Sequence, residues 1–75
     1  MHVTKTIRLA AGAGTIEEAI STILARASIT MEGIRSFKIV EVGGTVDESG
    51  VAAEYQVTMD VTFVVKDTPQ ETPQG

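Results

Sequence analysis

Along residues 51–65, "VAAEYQVTMDVTFVV", Val51, Ala53, Tyr55, Val57, Met59, Val61, Phe63 and Val65 fall on odd positions, against Glu54, Gln56, Thr58, Asp60 and Thr62 on even ones. An alternation of period two sends the two sets to opposite faces of a β-strand, one suited to burial and one to water. A weaker alternation runs through residues 2–9, "HVTKTIRL", where Val3, Ile7 and Leu9 share a side and Lys5 interrupts it. A third spans Ile34 to Val42, with Phe37 and Ile39 opposed to Ser36, Lys38, Val40 and Val42. Between these last two stretches the period changes. Ile16, Ala19, Ile20, Ile23, Leu24, Ala27 and Met31 recur at helical spacing, the apolar stripe of one amphipathic helix. Thr15-x-x-Glu18 ahead of the stripe is a capping box, in which hydroxyl and carboxylate each satisfy an orphan backbone N–H. Gly33 follows as the glycine that ends the helix, at the position after its C-cap.

The connections have their own signatures. "AAGAG", residues 10–14, reads as a flexible link, and "GGTVDESG", residues 43–50, as a turn. "KDTPQETPQG", residues 66–75, holds both prolines and no large apolar side chain, so one domain over 1–66 is predicted, followed by a disordered tail over 67–75.

The order strand, helix, strand, strand predicts an α+β domain, β-α-β-β, with the helix on the odd-numbered face of a three-stranded sheet. A hairpin turn centred near Glu48 makes even positions face even positions, placing Gln56 opposite Val40. Ser36, Lys38, Val40, Gln56, Thr58 and Asp60 then share the face away from the helix. Gln56 lies roughly 13 Å from the Ser36 row, too far for one chain to close a small pocket between them, so a symmetry mate is needed. The last strand, extended to roughly 50 Å, also outruns a helix of roughly 27 Å, and its excess is expected to meet another subunit. Phe37, being odd, is expected in the core beneath the helix.

Composition narrows the picture further. A chain of 75 residues buries only about 60% of its unfolded surface, and with no cysteine neither disulfides nor thiolate zinc can reinforce a thin core, which leaves oligomerisation. No apolar run approaches the length of a membrane span, and no signal-peptide core follows the first residues, so a soluble, cytoplasmic protein is expected. Six basic residues, scattered in a chain of net charge −4, argue against nucleic acid. His2, the only histidine, has no nucleophile or second base in a recognisable arrangement with it, so no catalysis is expected. Arg26 and Arg35 are read as inter-subunit ion-pairing residues, and Met31 and Met59 as core filler.

The order of elements, with "EEAISTILARAS", "GIRSFKIVE" and "AEYQVTMDVTF", resembles the dodecin family over roughly residues 3–66. The resemblance implies a three-stranded antiparallel sheet wrapped around one helix, twelve copies forming a hollow homododecamer, and binding of a flavin, riboflavin or FMN, for storage or protection. It implies that Gln56 matches the glutamine that hydrogen-bonds the flavin's polar edge. Ser36 occupies the position of the tryptophan on which the ring stacks, and Gly43 a position where many flavin-binding members carry arginine. The resulting expectation is a flavin pocket involving Gln56, Ser36, Val40 and Lys38, weakened by loss of the stacking ring. The alternative is a structural or divalent-cation-binding shell, since twelve chains of −4 sum to roughly −48 and Glu41, Asp47, Glu48, Glu54 and Asp60 offer oxygen ligands.

Overall fold

The computed structural model describes residues 3–65. Both His2 and the predicted tail lie outside them. Strand β1 (Val3–Ala13) is followed by helix α1 (Ile16–Thr30) and strands β2 (Ile34–Val46) and β3 (Ala52–Val65). The strands form one sheet in the order β1-β3-β2, with β3 antiparallel to both neighbours. Strands β1 and β2 therefore run parallel at the two edges, and α1 is the crossover between them, passing over one face of the sheet.

Each end of α1 has a local cause. Thr15 is the N-cap in extended geometry, and its Oγ1 accepts the Glu18 N–H at 3.0 Å. The reciprocal half of the predicted box is not made: the Glu18 carboxylate instead lies beside Gly14. At the far end Met31 caps the helix, donating its N–H to the Ala27 carbonyl at 2.9 Å. Gly33 comes two residues after that cap rather than one. Its φ of +72° is the left-handed conformation that glycine alone adopts cheaply, and its carbonyl accepts the Val64 N–H at 3.0 Å, opening the β2–β3 pairing.

Two connections are shorter than the composition suggests. Strand β1 continues through Ala10–Ala13, because ladder partners from Thr58 to Tyr55 on β3 satisfy its backbone. Strand β2 likewise continues through Gly43 and Gly44 to Val46. The turn is only Asp47–Gly50: Asp47 Oδ1 accepts from the N–H groups of Ser49 (2.8 Å) and Val51 (3.0 Å), and Gly50 takes φ +82°.

The buried core is small and odd-numbered in β3, as the alternation requires. Val57, Met59 and Val61 are sealed beneath Ala19, Ile23 and Ala27 of α1, with Leu9, Ala11, Ile20 and Leu24 packed around them. Phe37 faces the same side, opposite Val61, yet remains 45% exposed. The expectation that it fills the core is corrected: α1 lies over β1 and β3, and of the described residues of β2 only Ile34 packs against the core.

Candidate functional site

The face of the sheet away from α1 is built from the even positions of β1 and β3, and the register sets them in rows across three strands. Thr6, Thr62 and Ser36 form one row; Arg8, Asp60 and Lys38 the next; then Ala10, Thr58 and Glu41; then Gly12, Gln56 and Gly43. Ser36, Lys38, Gln56, Thr58 and Asp60 are thus brought to one face as expected.

Val40 has no place in these rows. A register shift between Ile39 and Glu41 leaves Val40 in a bulge with no ladder partner on β3, so Glu41 takes the slot opposite Thr58 and Gly43 the slot opposite Gln56. The pairing of Gln56 with Val40 is therefore corrected by three residues, and Val42, expected on the outer face, turns inward opposite Val57. The cause is the length of the hairpin: a tighter turn and an inserted residue each move the ladder, and parity reverses beyond the bulge. Because Ser36 sits opposite Thr62, its row lies six residues of β3 from Gln56, about 20 Å along the strand instead of 13.

The electrostatics of this face centre on Asp60. The Arg8 Nε donates to Oδ1 at 2.8 Å and Nη2 to Oδ2 at 3.2 Å, a bidentate pair between cross-strand neighbours. Those hydrogen bonds hold the Asp60 carboxyl below the usual carboxylate range; partial desolvation opposes them, and the charges of Arg8 and Lys38 add to the lowering. One row away, the Thr6 and Thr62 hydroxyls are hydrogen-bonded at 2.8 Å. The surroundings of Ser36 are therefore hydroxyls and charges, with no aromatic ring on its face among the described residues.

Gln56 is flanked by glycine on both neighbouring strands; the Glu54 carboxylate leans over Gly12, while no atom lies within 4 Å of where a Gly43 Cβ would stand. The family resemblance pointed to Gln56 but not to this flanking, since Gly12 and Gly43 both fall in segments whose composition reads as loop. Arg8 was also missed. Its even parity placed it on the outer face, but only the β1–β3 register puts it against Asp60. Among the described residues no group of three acidic or histidine side chains could hold a metal ion, and no helix is long and apolar enough to cross a membrane.

Comparison with known proteins gives this arrangement its context. The dodecin family model matches residues 3–66. This chain belongs to the dodecin family. A dodecin from Thermus thermophilus is 42% identical over 53 residues, covering 71% of this chain and 75% of that protein. The crystal structure of the tt0972 protein from Thermus thermophilus superposes with a TM-score of 0.82 at 35% identity, covering 91% of this chain and all of the other. The dodecin from Streptomyces davaonensis gives 0.79 at 30% identity, covering 88% and 97%. Flavin binding and dodecameric assembly are properties of the family.

Proposed function

We propose that copies of this chain assemble as a hollow dodecamer in the cytoplasm and bind a flavin, riboflavin or FMN, weakly, as a store or buffer without turning it over. The family match over residues 3–66 carries this reading, and the exposed amide of Gln56 is the polar contact it supplies. With Ser36 about 20 Å from Gln56 along one chain, the two flank a single ring only if they come from different copies. Assembly has further support in the inward face of β2, where Phe37, Ile39 and Val42 leave an apolar strip that the described elements of the chain cover only in part.

Affinity is set by what Ser36 lacks. Stacking of a flat base on an aromatic side chain contributes about 1–3 kcal/mol, so its loss weakens binding by one to two orders of magnitude. Lys38 and the Val40 bulge lie between the Ser36 and Gln56 rows and border the site. A divalent cation is the lesser reading: it is supported by the net charge of −4, and its ligands would have to come from more than one copy. Titrating the purified protein into riboflavin while following flavin fluorescence, with sedimentation run in parallel, tests both parts. Quenching in the micromolar range or above and a dodecameric mass are expected; a monodisperse monomer, or no quenching at millimolar protein, overturns the reading.

A further inference from the structure

The three glycines near Gln56 differ in why they are glycine. A Cβ on Gly44 would collide with the backbone oxygen of Glu54, so that position has no room. A Cβ on Gly12 would stand 2.7 Å from Oε2 of Glu54, whose carboxylate leans over it. Gly43 has neither reason: its φ is not positive, and nothing lies within 4 Å of where its Cβ would be. Glycine inside a strand is destabilising, and no contact among the described residues accounts for it here. What it leaves is open ground beside the Gln56 amide. At the usual strand spacing the Gly12–Gln56–Gly43 row is about 10 Å across, and the next rows on its face stand about 7 Å away on each side. On the β1 side of Gln56 lies a separate shallow cavity of about 280 Å³, lined by Ala10, Ala11, Gly12 and Gln56.

We infer that the ring of the ligand lies flat on the bare backbone at Gly43, its edge against the Gln56 amide, and that residue 43 thereby determines which ligands fit. Backbone packing at Gly43 takes the place of the stacking wall absent at Ser36. The amide of Gln56 offers one acceptor and an NH₂ donor side by side, which selects planar nitrogen heterocycles bearing a donor and an acceptor on one edge, flavins among them. The inference rests on the proposed contact between Gln56 and the ligand.

Riboflavin titrations of the full chain and three variants test it, with sedimentation confirming assembly. Gly43→Val should weaken binding at least tenfold; its β-branched side chain suits a strand, and its Cβ meets no neighbour within 4 Å. Gly43→Ala, the milder probe if valine disturbs assembly, should weaken it about threefold. Gly43→Arg should weaken it as well. If Gly43→Val or Gly43→Arg binds as tightly as the unmodified chain or tighter, the ring lies elsewhere, while the flavin reading itself stands. No quenching by the unmodified chain removes both.

Discussion

Val57, Met59 and Val61 on β3 and their ladder partners Val42, Ile39 and Phe37 on β2 are apolar, adjacent and on the same face of one sheet, yet their fates are opposite. The first three are fully buried, whereas the second three are 43%, 39% and 45% exposed. The difference is the footprint of a single helix. An α-helix about 10 Å across covers roughly two strands at their usual spacing, and α1 is placed over β1 and β3. The amount of core is thus set by the reach of α1 and not by the number of apolar residues. The uncovered strip is the surface a neighbouring copy would close.

The comparison breaks most visibly at Met59. Met59→Ala should cost about 2–5 kcal/mol, a large part of the stability of a small domain, and lower the thermal midpoint sharply by circular dichroism. Its ladder partner sharpens the contrast: Ile39→Ala should cost the dissociated chain less than about 1 kcal/mol and act instead on assembly. Equal losses at the two positions in dilute, dissociated protein would mean that sealed and bare halves are not distinct.

On the outer side of the same strands, Ser36→Trp should tighten riboflavin binding by about 1–3 kcal/mol, ten- to a hundredfold, if Ser36 of one copy lies near the ring of another. Thr15→Ala acts on the sealed half through its roof. Loss of the cap should destabilise α1 by about 1 kcal/mol, read as a lower melting temperature with flavin affinity unchanged.

The smallest effect concerns Arg8 and Asp60, which belong to the outer face and are 61% and 26% exposed. The folded-state pKa of Asp60 is lowered, so the stabilisation from this pair is complete above the unfolded carboxylate value of about 3.9 and is lost as pH falls through the lower folded value. Asp60→Asn should flatten the fall in melting temperature below about pH 4 and leave the neutral-pH core unaffected.

How far the residues reveal the fold varies by region. The helix is legible from Thr15 to Met31 because capping and a 3.6-residue stripe are local properties. The β3 alternation is legible because the central strand is dressed on both sides, helix inward and polar rows outward. Strand β2 misled in two places. Gly43 and Gly44 read as turn because glycine is a turn residue in isolation, and their strand geometry comes from pairing with Gln56 and Tyr55. The bulge at Val40 has no local signature either, and it moved Gln56 from Val40 to Gly43 and brought Val42 to the inner face. Of the candidate site residues, Gln56, Ser36 and Lys38 share the face that their parity requires, but their spacing was not legible.

Element order, the helix and its cap, and the parity of β3 were determined by the sequence itself, since each depends on interactions spanning a few residues. Tertiary structure alone decided that β3 lies between β1 and β2, where the ladder slips by a residue, and that α1 shelters one half of the inner face and leaves the other bare. Those outcomes depend on contacts between residues far apart in the chain, where register is the compromise among many hydrogen bonds and one residue of slip reverses which side chains are hidden.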